Sequence, residues 1–206
     1  MTAPNTAVLR QACETLAGMD EALSNAYQAV DLPNWRSRSA NYQSLAQIVV
    51  YQLISTKAAD AIWARLLARH PDFTAPKVLS DDQDALRACG LSRPKLAHLN
   101  SIARAVETRV LDFEDLAQVS EASARETLLS VKGIGPWTAD TFLMTSLGHL
   151  DAFPHGDVGL MESYRRLTDA STRLTSKAFS EHAEAWRPYR AVAAHLLYDW
   201  LHLMRD

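Results

Sequence analysis

Asp157 and the Gly133-Ile134-Gly135 turn, 22 residues before it, are the positions where residue type and spacing point to chemistry. A fixed carboxylate can stabilise positive charge growing on a reacting carbon, or orient the water that attacks it. Aspartate is also a favoured helix N-cap, and a cap would itself hold that carboxylate still. Glycines permit positive φ and close backbone approach, so successive N–H groups and the next helix's N-terminus could converge on one phosphate. A helix stop followed by a proline start explains the same glycines without any ligand.

The elements that must position these groups read as helices. Apolar residues recur at helical spacing over 7–30, 42–54, 56–69, 81–89, 93–109, 121–131, 136–148, 157–168, 176–184 and 188–204. The Val/Ile-rich run Ile48–Ile54 falls inside one of these stretches, and no Asn-Gly or Asp-Gly turn occurs, so the expected class is all-α. Ser80-Asp-Asp-Gln83 and Ser123-Ala-Arg-Glu126 fit capping boxes, and Gly90 and Gly148 fit helix ends. One helix runs to about Val131, Lys132–Pro136 turns the chain, and Pro136 stands where a first helical position tolerates a missing N–H. The segment is a helix–hairpin–helix. In the last helix Val192, Ala193, Leu196, Leu197, Trp200, Leu201 and Met204 form one apolar stripe.

Composition excludes several classes. With 48% hydrophobic residues over 206 positions the chain can bury a core, yet no apolar run reaches the roughly 18 residues of a membrane span. No basic-then-apolar leader opens the sequence, so a cytoplasmic location is expected. Two cysteines, Cys13 and Cys89, cannot supply a cysteine-ligated zinc or iron–sulfur site, and they read as buried thiols. The net charge of −3 argues against an indiscriminate polyanion binder; residues 1–34, with Arg10 against Glu14, Asp20, Glu21 and Asp31, account for all of it. Arg165, Arg166, Arg173, Lys177, Arg187 and Arg190 gather near the C-terminus, as solvated helix faces or, for one or two of them, as phosphate contacts.

Taken together, VKGIGPWTAD (131–140) and the downstream LDAFPHGDVGLMESYRRL (150–167) with its Asp157 resemble the helix–hairpin–helix DNA glycosylases that carry a catalytic aspartate. The likeness is greatest to bacterial 3-methyladenine glycosylases of the inducible, alkylpurine-removing type, over about residues 40–204. YQLISTKAADAIWARL looks like the family's DNA-inserting segment, CGLSRPKLAHLNSIARAV like its connecting helix, and WRPYRAVAAHLLYDWL like its closing helix. The resemblance implies a two-lobed all-α glycosylase fold with a DNA- and base-binding cleft between lobes. The lobes would be about 40–115 and 116–168, with 1–39 and 169–206 packing as terminal helices and no N-terminal β domain.

The resemblance also assigns roles, each with an ordinary structural alternative. Asp157 matches the catalytic aspartate; Trp137 and Tyr198 match aromatic walls of a base pocket, where core packing is the common alternative. Thr141 stands where better-known relatives carry another aromatic, which bears on substrate range. Leu53 matches the residue that fills the stack when a base is flipped out, with Gln52 beside it as a polar contact; Leu53 could equally be core. Lys132, Gly133, Ile134, Gly135 and Thr138 form the phosphate-gripping hairpin. Tryptophan at 137 replaces the lysine with which the family's bifunctional members attack the sugar, so a monofunctional hydrolase without lyase activity is expected. No cofactor, iron–sulfur cluster or side-chain metal site is expected; the likeness implies Na+ or K+ on hairpin carbonyls. His155 is a proton-transfer candidate or simply a loop residue. The expected partner is double-stranded DNA with alkylated bases, met by a monomer. The alternative is a non-catalytic module that grips damaged or abasic DNA.

Overall fold

Asp20 interrupts the first apolar stretch. In the computed structural model, which describes residues 3–204, the stretch read as one helix over 7–30 is two: α1 (Thr6–Met19) and α2 (Glu21–Val30). Asp20 takes an extended backbone and turns its carboxylate onto the N–H groups of Ala22 and Leu23, at 2.8 and 3.4 Å. A side chain that satisfies two orphan donors of a new helix outcompetes continuation of the old one. The remaining helices are α3 (Tyr42–Tyr51), α4 (Thr56–Arg69), α5 (Ala75–Ser80), α6 (Gln83–Ala88), α7 (Arg93–Glu107), α8 (Phe113–Leu116), α9 (Glu121–Ser130), α10 (Pro136–Ser146), α11 (Val158–Leu167), α12 (Ser176–Ala183) and α13 (Arg190–Leu203). Among the described residues there is no strand, and no helix is long and apolar enough to cross a membrane.

Two caps differ from the sequence reading. Ser80 is the last residue of α5, and Asp82 caps α6 through Asp84 N–H at 3.0 Å. Ser123 receives a cap: Ser120 Oγ takes its N–H at 3.2 Å. In both cases a nearby residue in extended conformation takes the cap position and starts the helix there. Gly90 and Gly148, at φ of 107° and 72°, do end helices as expected.

The chain divides into two compact units, 38–142 and 1–37 with 143–206, so the expected lobe boundary near 115 falls inside the first of these. In the unit 38–142, α7 packs on α3 and α5. Phe73 is fully buried there, stacked near Tyr42 at 6.1 Å and edge-on to Trp63 at 5.3 Å, with Leu45, Leu66, Leu99 and Ile102 completing the core. Each such side chain contributes roughly 1.5–3 kcal/mol on burial. Two polar ties fix α7 against α3: Tyr42 Oη donates to Leu99 O at 3.1 Å and Lys95 Nζ to Val50 O at 2.6 Å.

In the other unit α13 packs on α2 and α11, burying Val192, Ala193, Leu196, Leu197 and Leu201 as the stripe predicted. Met204 is half exposed, because it lies past the last turn of α13. Asp20 anchors this unit a second time. Its other carboxylate oxygen lies 3.1 Å from Tyr164 Oη, 3.0 Å from His182 Nε2 and 3.0 Å from Trp186 Nε1. Burial pushes the Asp20 carboxyl up, but donation from His182, Trp186, Tyr164 and Ala22 N–H outweighs this and holds its pKa below the usual value. Cys13 is buried, which pushes its thiol up to about 12, while Cys89 is only half-buried.

Candidate active site

The hairpin forms because α9 stops at Ser130 and α10 restarts at Pro136, as its proline allows. Only Gly133 of its two glycines has positive φ, at 102°. A Cβ on Gly133 would stand 2.6 Å from His98 Cβ and 3.0 Å from His98 Cα, so this glycine lets the turn press against α7. Gly135 is the exposed one: nothing lies within 4 Å of a Cβ built there, and its carbonyl accepts from Ala139 N–H at 2.9 Å to open α10. Packing against α7 therefore requires glycine at 133, whereas the surroundings of 135 leave room for a side chain. Ile134 is buried beneath the turn, and Lys132 is exposed above it.

A buried ion pair braces the hairpin from both helices. Asp140 of α10 has no exposed surface and takes both Arg125 guanidinium nitrogens of α9, Nη2 at 2.8 Å. Such a pair costs desolvation but, once formed, fixes the angle at which α10 presents its N-terminus. Lys132 and Arg104 line one cleft of about 530 Å³ beside the hairpin, with Asp81, Asn100 and Ser101.

For Leu53 the structure removes the core alternative. Leu53 sits in the α3–α4 turn at φ 58°, fully exposed, so it is not core. A leucine in the left-handed region with its whole side chain in water loses on both counts, and such strain collects at functional positions. Gln52 ties this turn to the hairpin helix, donating Nε2 to Thr138 Oγ1. Thr138 is buried and its hydroxyl engaged by this bond. Trp137 is half-buried and its carbonyl accepts from Thr141 Oγ1 at 2.7 Å.

Asp157 and Tyr198 belong to the other unit, and they meet. Asp157 is the N-cap of α11, its Oδ1 accepting from Leu160 N–H at 3.0 Å and its own N–H donating to Pro154 O at 2.8 Å. The Tyr198 hydroxyl, from α13, hydrogen-bonds the same carboxylate; burial, then that negative charge and bond, push the phenol's pKa well up and keep it a donor. Arg36 lies over the Tyr198 ring, its guanidinium carbon 5.3 Å from the ring centroid, and pairs with Asp199 at 2.6 Å. His195, one turn earlier on α13, is fully buried, and desolvation and Arg36 hold it neutral with a pKa of about 3. His155 lies in the turn before Asp157, its N–H on Phe153 O at 2.8 Å. No group of three His, Cys, Asp or Glu able to hold a metal occurs among the described residues.

The C-terminal basic cluster is largely consumed internally. Arg165 and Arg166 share Glu162, at 3.0 and 2.8 Å, and bring its carboxyl down to about 2. Arg187 and Arg190 bind Asp151 and Glu184, and Lys177 lies 3.9 Å from Glu181.

Residues 46–188 match the family described as HhH-GPD superfamily base excision DNA repair protein. The chain belongs to this family. It is 31% identical over 192 residues to DNA-3-methyladenine glycosylase 1 of Schizosaccharomyces pombe, across 89% of this chain and 83% of that one. Its fold matches the structure of the S. pombe 3-methyladenine DNA glycosylase Mag1 in complex with abasic DNA, with a TM-score of 0.81 at 29% identity over 91% of this chain and 95% of that one. A DNA-3-methyladenine glycosidase structure from Bacillus halodurans matches with a TM-score of 0.77, also at 29% identity, over 94% and 90% of the two chains. The all-α helix–hairpin–helix glycosylase fold expected from the sequence is therefore the fold observed.

Two site residues were not singled out in the sequence. Arg36 lies in a stretch without periodicity, and its partners are more than 160 residues away in sequence. Gly159 reads as an ordinary helix residue, although it lies directly beside Asp157.

Proposed function

We propose that this chain is a monofunctional DNA glycosylase that flips alkylated purines of the 3-methyladenine and 7-methylguanine type from duplex DNA and hydrolyses their N-glycosidic bond. The observation that carries the reading is the Asp157 carboxylate, immobilised by Leu160 N–H and bonded by Tyr198, so that a charge and an aromatic ring share one place. A helix cap alone does not call for the tyrosine, and a core tyrosine does not call for the carboxylate. The names of the relatives agree with this substrate class.

Alkylation at N3 or N7 makes the base cationic, so it departs as a neutral molecule with the electron pair of the C1′–N bond and needs little protonation. Positive charge then builds on the sugar, where a fixed carboxylate stabilises it more than it stabilises the ground state. Water adds at C1′ and gives up a proton, leaving an abasic site. Stacking on an aromatic ring would hold the cationic base at roughly 1–3 kcal/mol per aromatic, with Tyr198 and Trp137 each a candidate. Leu53 would occupy the vacated stack, and Gly135 with the start of α10 would grip a phosphate. A monovalent cation would sit on the hairpin carbonyls; Val131 and Gly135 O each accept one backbone bond and keep a second lone pair for it. No step needs a further cofactor, and the enzyme would act as a cytoplasmic monomer.

The test is incubation with methylated duplex DNA, with chromatography of the released bases and electrophoresis of the strand. Free 3-methyladenine, an uncut strand until alkali, and no borohydride-trapped covalent complex support the reading. Binding to abasic DNA with no base released from any methylated substrate would favour a non-catalytic damage binder.

A further inference from the structure

The Asp157 carboxylate is tightly bounded on one side by a residue that has no side chain. A Cβ built on Gly159 would stand 3.0 Å from Asp157 Oδ1, 3.7 Å from Leu201 Cδ2 and 3.9 Å from Tyr198 Cε1. The first separation is closer than an ordinary carbon–oxygen contact, while the other two are ordinary van der Waals contacts. The carboxylate cannot yield freely. Oδ1 is held at 3.0 Å by Leu160 N–H, the carboxylate also receives Tyr198, and the Asp157 backbone is pinned by Pro154 O and Met161 N–H.

We infer that Gly159 is a positioning residue: the absence of a Cβ there is what lets the Asp157 carboxylate occupy its reactive position between Leu160 N–H and Tyr198. Its backbone gives no other reason for glycine, since its φ is not in the left-handed region and it lies inside the first turn of α11. In such a helix alanine is ordinarily the better residue. The inference rests on Asp157 being the catalytic carboxylate. A methyl at 159 would displace Oδ1 by a few tenths of an ångström, and since misplacement by about 1 Å costs on the order of 10²-fold, a loss of roughly 10-fold is expected.

The experiment compares wild type, Gly159→Ala and Asp157→Asn. The readouts are single-turnover release of 3-methyladenine from methylated duplex, affinity for an abasic-site-analogue duplex, and Tm. The inference predicts that Gly159→Ala loses roughly 10-fold in rate, with abasic-DNA affinity unchanged and Tm moved by no more than about 3 °C. A wild-type rate in Gly159→Ala overturns it. So does a loss of rate matched by an equal loss of DNA affinity or of folded protein. Asp157→Asn separates the two claims: if it keeps the wild-type rate, the catalytic assignment itself has failed, whatever Gly159→Ala does.

Discussion

Gly133 and Gly135 stand two residues apart in one turn, and alanine should affect them in opposite ways. At Gly133 two costs combine. A side chain at φ 102° leaves the regions L-residues favour, which costs on the order of 1–3 kcal/mol. Its Cβ would also meet His98 Cβ at 2.6 Å, Cγ at 2.8 Å and backbone Cα at 3.0 Å. Because the nearest atoms are close to or part of the α7 backbone, no rotamer change relieves the clash, and overpacking of this kind costs about 1–3 kcal/mol. The combined loss of about 2–6 kcal/mol corresponds to a Tm drop of roughly 4–24 °C at 2–4 °C per kcal/mol for a chain of this size. Gly135→Ala meets nothing within 4 Å, so its Tm should shift by less than about 2 °C. If a phosphate approaches the open face of Gly135, that same methyl should weaken binding to abasic-site duplex at least about tenfold, the loss of one charge-assisted contact. Thermal denaturation and fluorescence anisotropy read the two variants. A Gly133→Ala protein melting within 1–2 °C of wild type, on the scale of ~2–4 °C per kcal/mol, would refute the packing argument. Undiminished DNA affinity in Gly135→Ala would refute the open-approach argument.

Three further outcomes follow from the same geometry. Asp140→Ala removes the buried half of the pair with Arg125, whose guanidinium is partly exposed, and should cost about 1.5–3 kcal/mol in urea denaturation; a loss below about 1 kcal/mol would mean the pair does not brace the hairpin. Leu53→Ala should leave stability within about 0.5 kcal/mol, because the side chain touches only solvent, yet slow base release from duplex substrate more than from single-stranded substrate. Equal slowing on both would contradict its role as a stack filler. Asp20 makes stability depend on pH: its folded pKa lies below the ordinary aspartate value of 3.8, so its contribution is complete above that value and lost as pH falls through the folded pKa. Asp20→Asn should lower stability at pH 7 and flatten the acid limb below about pH 4; an unaltered acid limb would show that another carboxylate governs it.

Much of this architecture was legible in the sequence where the cause is local. The periodicity of α4, α7 and α13 is carried by residues three and four apart, and Pro136 marks the start of α10 by its own covalent structure. Asp157 declared both its cap and its candidate chemistry by type and place. What the sequence could not show depends on partners far along the chain. The break at Asp20 draws on Tyr164, His182 and Trp186, and the need for Gly133 comes from His98. Leu53 continues an apolar helical pattern in one dimension; only the chain's turn at Gln52 puts it into solvent. The short helices α5 and α8, of six and four residues, are too brief for a 3.6-residue period to register. The ion pairs of the basic C-terminal cluster were not legible for a related reason, since Asp151 reaches Arg187 and Arg190 from more than a helix's length away in sequence.

The central claim is that the Asp157 carboxylate drives loss of the base. Asparagine at 157 is nearly isosteric and remains a good N-cap, so Asp157→Asn removes the charge and little else. Single-turnover release of 3-methyladenine from methylated duplex should fall at least ~10²-fold in this variant, with Tm and abasic-DNA affinity retained. Release at the wild-type rate would contradict the account.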